Sequence, residues 1–220
     1  MADLLWDKEI LMLVISSFEV TESGRRTQPW GKTEGHEYKE GKYYNFRENQ
    51  ELIETSLEDF NPFSSEKAVQ TFYSMLRWIN SDSSVLESTD CLLAGAPAQD
   101  YMAEMFRCTH LSKGRFEFFI RNVELNTDKE TFIWVFDRLS LYLQVERPEF
   151  RKGTFRISPL ITDYLTGGDK ITGHRFCLDF NACGNGVEDT WVSLNIMFEG
   201  LMKTLERLNS EMISGDAVPL

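Results

Sequence analysis

Positive charge is scarce in this chain. It has 23 Lys and Arg against 35 Asp and Glu, a formal net charge of −12 over 220 residues. No run of bases exceeds two, and the pairs are Arg25-Arg26 and Arg151-Lys152. A nucleic-acid binder needs a basic face to neutralise phosphates, and docking on an anionic bilayer needs one too. Neither nucleic acid nor membrane is therefore expected as a partner. A basic protein is, because the field of an acidic surface raises its encounter rate.

Cysteine is also sparse. Cys91, Cys108, Cys177 and Cys183 are too few and too scattered for a disulfide scaffold in a chain of this length. Long apolar runs are missing. Ile10–Ile15 spans six residues, far below the roughly 20 of a membrane span. Asp3, Asp7 and Glu9 precede it where a secretory signal carries positive charge. These features predict a cytoplasmic protein with free thiols.

Catalytic and ligand motifs are missing as well. Cys108-x-His110 has no second pair at zinc spacing, so no metal is expected. No Gly-x-Ser-x-Gly elbow occurs. Gly184-Asn185-Gly186 stands where a phosphate loop would, but Glu188 and Asp189 at the following helix start would repel a phosphate. It reads as a tight turn, and no cofactor is expected. One nucleophile candidate remains. Cys91, beside Glu87 and Asp90, would need one of three histidines: His36, His110 or His174. The alternation of His174 with Phe176, Leu178 and Phe180 puts it on a core face instead.

What the chain does have is aromatic content of 13% and hydrophobic content of 42%, enough for a packed core. Its charge is uneven. Residues 1–110 hold 19 acids against 10 bases, and residues 111–220 hold 16 against 13. The excess concentrates in one strip. Glu48, Glu51, Glu54, Glu58, Asp59 and Glu66 lie in a stretch without Lys or Arg. Ile53, Leu57 and Phe60 fall on one helical face, while Glu51, Glu54 and Glu58 fall on another. Pro62 ends that helix. The preceding residues 21–47, with Trp30, Tyr43 and Tyr44, read as a long loop or irregular hairpin. Tyrosine and tryptophan beside uncompensated acids suit a contact surface for a basic partner.

The remaining elements follow from period. Ile10–Val20 reads as a strand or a helix end. Ser65 is placed to cap a helix carrying Val69, Phe72, Leu76 and Ile79, and Asn80–Ser84 ends it. Val85–Leu93 reads as a short strand. Phe116, Phe118 and Ile120 alternate as in a strand buried mainly on one face. Thr127-Asp128-Lys129-Glu130 fits a capping box, ahead of Phe132, Phe136, Leu139 and Leu143 at helical spacing. Thr154–Ser158 and His174–Phe180 read as strands around a turn at Thr166–Asp169. Trp191, Leu194, Phe198, Leu201, Leu205, Leu208 and Met212 repeat at 3-4 spacing, with Asp189 as cap and Gly215 as stop.

The second half is thus ordered β-α-β-β-α. That order predicts the α+β class: an antiparallel or mixed sheet, helices mainly on one face, and a long C-terminal helix. A single domain over 1–220 is expected, with a candidate internal boundary near 94–113. The expected function is a non-enzymatic, acidic protein-binding module. Its sharpest form is an immunity-type inhibitor of a basic toxin or nuclease. Its expected contact residues are Glu48, Glu51, Glu54, Glu58, Asp59, Trp30, Tyr43 and Tyr44. The alternatives are a Cys91-dependent hydrolase or transferase, and a self-associating structural protein, a homodimer joined through the C-terminal helix.

Overall fold

The computed structural model describes residues 12–16, 20–29, 37–38, 41–42, 44–145 and 152–215. The first elements described are two strands, β1 (Met12–Ser16) and β2 (Thr21–Gln28). The second departs from the reading of 21–47 as a long loop or irregular hairpin: its polar residues pair with β9 as an edge strand, where an apolar pattern is not needed. A two-residue hairpin follows, β3 (Glu37–Tyr38) and β4 (Gly41–Lys42). Helix α1 (Leu52–Glu58) buries Ile53 and Leu57, as the spacing predicts. Helix α2 (Lys67–Ile79) buries Val69, Phe72, Leu76 and Ile79. Its cap position falls on Glu66, not Ser65, because Phe63–Ser65 forms a 3-10 turn of its own. The expected strand over 85–93 is split into β5 (Leu86–Ser88) and β6 (Leu92–Leu93), and β7 (Ala98–Gln99) comes next.

A 3-10 turn (Tyr101–Phe106) leads into β8 (His110–Ile120). Another, Val123–Asn126, leads into helix α3 (Lys129–Val145). Here Asp128 is the cap, one residue beyond the expected Thr127. Its carboxylate accepts from the Thr131 amide at 2.7 Å and the Thr131 hydroxyl at 2.6 Å. Strands β9 (Lys152–Thr166) and β10 (Asp169–Gly184) form one long hairpin. Gly167 and Gly168 both have positive φ in its turn, which suits a two-residue loop matching the strand twist. Helix α4 (Val187–Ser214) is the longest, and its six positions from Trp191 to Leu208 are buried. It starts earlier than expected, with Gly186 at the cap position. Asp189 serves from inside the first turn, accepting from the Asn185 amide at 2.9 Å.

The sheet is mixed and eight-stranded, in the order β1-β9-β10-β8-β5. Strand β2 continues along the free edge of β9 beyond β1, both parallel to it. Strands β6 and β7 likewise continue β5 along β8, all antiparallel. Each long edge is thus covered by short, interrupted strands. Helices α2, α3 and α4 cover one face. Phe72 of α2 meets Phe116, Phe198 of α4 meets Phe180, and Phe132 of α3 stacks on Phe176 at 5.3 Å. The chain is α+β, as its element order predicts. The opposite face departs from expectation. Glu117, Phe119, Arg175 and Cys177 lie on it and are buried too, so β8 is covered on both sides.

Candidate functional site

The acidic strip divides into two sets. Glu51, Thr55 and Glu58 are exposed and fall at spacings of four and three along α1. Glu48, one turn earlier, is also exposed. Among the described residues, no Lys or Arg lies within ion-pair distance of these three glutamates. The other set is engaged. Glu54 pairs with Arg77 of α2 at 2.6 Å. Asp59 accepts from the Tyr44 hydroxyl at 2.7 Å, and the Tyr44 ring stacks on Phe46 at 5.7 Å. Tyr44 is therefore half-buried and held against its own chain. Trp30 and Tyr43 lie outside the described residues.

The residues just beyond the strip clasp the end of α2. Arg47 donates to the Asn80 carbonyl at 3.0 Å, and Gln50 donates to it at 2.6 Å. Arg121 donates to the carbonyls of Ile79 and Ser81 at 3.0 and 2.6 Å. Two cations thus satisfy the orphan carbonyls at the negative end of the helix. A cleft of about 210 Å³ opens beside them, lined by Glu48, Glu87, Phe119 and Tyr164 among others. Burial pushes the Glu87 carboxyl up, with Arg121 opposing.

The helix-free face of the sheet holds a charge cluster that the linear sequence does not reveal. Asp90 receives Arg26 at 2.5 Å and Arg115 at 2.6 Å. Glu117, 3% exposed, receives Arg175, 1% exposed, at 2.7 Å. Arg175 also donates to Thr162 at 2.9 Å and to the Gly24 carbonyl at 2.7 Å. Gly24 sits at φ +82°, in the irregular stretch between the paired positions Thr21 and Arg26 of β2. That conformation suits glycine and aims its carbonyl at the guanidinium. On the opposite face of β9, level with Thr172 of β10, Asp163 takes two bonds from Arg25, at 2.8 and 3.0 Å, and others from Lys170 and Thr172. These partners, Arg25 first, hold the Asp163 carboxyl far below the usual range. Burial raises the Glu117 carboxyl, against the pull of Arg175. The cluster fastens β2 to the sheet. Its partners come from β2, β8, β9, β10 and the Thr89–Cys91 break, so only a fold can assemble them.

The thiols are not poised as nucleophiles. Burial pushes Cys91 and Cys177 far up, and Cys183 to about 12. The Cys91 thiol donates to the Glu117 carbonyl at 3.5 Å. Of the histidines, His174 lies against Phe132, with ring centroids 4.5 Å apart, on the helix side of the sheet. His110 sits at the far end of β8, bonded to Thr109. His36 lies outside the described residues. Among the described residues, no group of three His, Cys, Asp or Glu could hold a metal ion. The Gly184 turn is tight for a steric reason. A Cβ there would lie 2.4 Å from the Thr190 amide nitrogen, so the strand and the helix start touch backbone to backbone.

Compared with protein-family models, curated proteins and solved structures, the chain finds no match. The site must therefore be read from its own geometry.

Proposed function

We propose that this chain is a non-enzymatic binding module that presents the outer face of α1 and the turn before it to a basic protein. The observation that carries this reading is the exposed row Glu48, Glu51 and Glu58. None of the three has a Lys or Arg within ion-pair distance among the described residues, while Glu54 and Asp59 beside them are engaged. The rigid backing of Ile53 and Leu57 against the core keeps that row in place. Two further features support the reading. Net charge of −12 favours fast encounter with a cation-rich partner. The cysteines are held as thiols, and thiols are poor nucleophiles.

The sharper form is an immunity-type inhibitor that caps a basic toxin or nuclease, and charge complementarity is what favours it. The setting we propose is the cytoplasm. Among the described residues no helix is long and apolar enough to cross a membrane, and the four cysteines are free.

The test begins with affinity capture from the native host and identification of the bound protein. Stopped-flow association then compares wild type with the E48K/E51K/E58K variant at low and physiological salt. The variant should associate at least about tenfold more slowly at low salt, with the gap closing as salt screens the field. Equal association rates at low salt would show that the row is only a solvated face.

A further inference from the structure

The 3-10 turn Tyr101–Phe106 carries three exposed large hydrophobic residues. Tyr101 is 81% exposed, Met105 73% and Met102 40%. A mobile loop could show such residues without consequence, but this turn is fastened at every point. Its inner side chains, Ala103 and Phe106, are buried in a cluster with Cys108, Leu111 and Cys183. At its start the Asp100 carboxylate accepts from the Met102 amide at 2.9 Å. At its end Arg107 takes the left-handed conformation, and the Cys108 amide donates back to the Ala103 carbonyl at 3.0 Å. The Thr109 amide donates to the Gly184 carbonyl at 3.2 Å, which ties the segment to the end of β10.

Rigid presentation matters because the ordering cost of binding is then already met by the fold. Tyrosine brings a large contact area with few torsions, and methionine adapts its shape to a partner. Beside Tyr101 lies a cleft of about 410 Å³ lined by Gln99, Asp100, Tyr101, Glu104, Cys108 and Thr109. Two acidic residues line it, Asp100 and Glu104, and among the described residues no Lys or Arg does. Asp189 at the start of α4 lies close enough to act on Cys108 of the lining. The bases of this neighbourhood are Arg107 and, opposite Cys183 on β9, Lys152.

We propose that the Tyr101–Phe106 turn and its cleft form a second docking surface, one that takes a partner segment carrying an apolar residue next to a lysine or arginine. The apolar residue packs on Tyr101 and Met105, and the cationic head enters between Asp100 and Glu104. A hydrocarbon stem with a charged tip suits a cleft lined by Tyr101 together with the carboxylates of Asp100 and Glu104. This surface lies at the opposite end of β8 from the α2 clasp. It rests on the binding-module reading but not on the α1 row.

The probe is a randomised dodecapeptide display library, selected on the full chain. Enriched peptides are then measured by fluorescence anisotropy against wild type, Y101A/M105A, D100N/E104Q and E51K/E58K. The expected result is enrichment of peptides that pair an apolar residue with Lys or Arg. Their affinity should fall about tenfold or more in Y101A/M105A. It should fall in D100N/E104Q as well, and hold in E51K/E58K. Tyr101 and Met105 are exposed, so their removal should leave the circular dichroism spectrum and melting midpoint unchanged. A folded Y101A/M105A that binds as well as wild type overturns the proposal. So does a selection that enriches nothing, or only peptides without a base. Peptides that lose binding only in E51K/E58K would support the α1 row and overturn this surface.

Discussion

At the residue scale, two titratable groups on the β9–β10 hairpin set how stability responds to acid. Asp163 is held well below the ordinary carboxylate range by Arg25, Lys170 and Thr172. A depressed carboxyl adds stability above its unfolded value of about 4, and loses it as pH falls through the folded value. Asp163→Asn should therefore lower the melting midpoint at pH 7. The gap to wild type should narrow steadily below about pH 4, as thermal melts across pH would show. His174, two residues beyond the Thr172 that bonds Asp163, is lowered by burial beside Phe132. Below about pH 6.5 the unfolded chain takes up a proton that the folded imidazole resists. Stability then declines as the pH drops toward the folded value. His174→Phe should flatten that slope between about pH 6.5 and 5, which separates it from the Asp163 effect at lower pH.

At the element scale, α4 is the spine of the helical layer. It packs on α2, α3, β8 and β10. Leu201 and Leu205 are fully buried in its stripe, so truncating either to Ala leaves a cavity that neighbours on several elements cannot all close. Each should cost about 2–5 kcal/mol in chemical denaturation, and no change in midpoint would contradict the packing. The helix is polar where it must be. Asn209 accepts from the Val85 amide at 2.8 Å and donates to the Ser83 carbonyl at 3.2 Å, standing in for a strand at the turn after α2. Asn126 does the same for both backbone groups of Ile120. Its own carbonyl lies so close to Gly173 that a Cβ there would approach it to 2.6 Å. Such side-chain substitutes for backbone pairing leave no periodic trace, so Asn126 and Asn209 could not be singled out from the sequence.

At the scale of the whole molecule, surplus negative charge works against compactness and for encounter. Raising salt from about 0.01 M to 0.15 M shortens the screening length from about 30 Å to about 8 Å. Self-repulsion among the 35 acids should weaken, so the melting midpoint should rise over that range. A falling midpoint would show that exposed ion pairs, such as Lys67–Glu199 at 2.8 Å, outweigh repulsion.

The sequence by itself determined the elements whose side chains repeat. Spacing, with a capping signal and the Gly167-Gly168 turn, located α2, α3 and α4, the strands of the β9–β10 hairpin, the α+β order and a helix within the acidic strip, over Leu52–Glu58. Those patterns are legible because burying one face of a helix or strand dictates apolar residues at 3.6 or 2. Cap positions slipped by one to three residues at α2, α3 and α4: a 3-10 turn takes up Ser65 before α2, Asp128 caps α3 in place of Thr127, and α4 has Gly186 at its cap position, without a side-chain cap. Only the tertiary structure decided which charges are spent. Glu54 and Glu58 look alike in the chain, yet Arg77 from the next helix engages one and leaves the other open. The same holds for β2, whose Arg25 and Arg26 look solvated but reach Asp163 and Asp90, about 138 and 64 positions away along the chain. It holds too for Tyr101 and Met105, ordinary core residues by type, which the anchored turn directs outward. Pairing and exposure depend on which distant segments arrive at a surface, and a one-dimensional pattern carries no record of that.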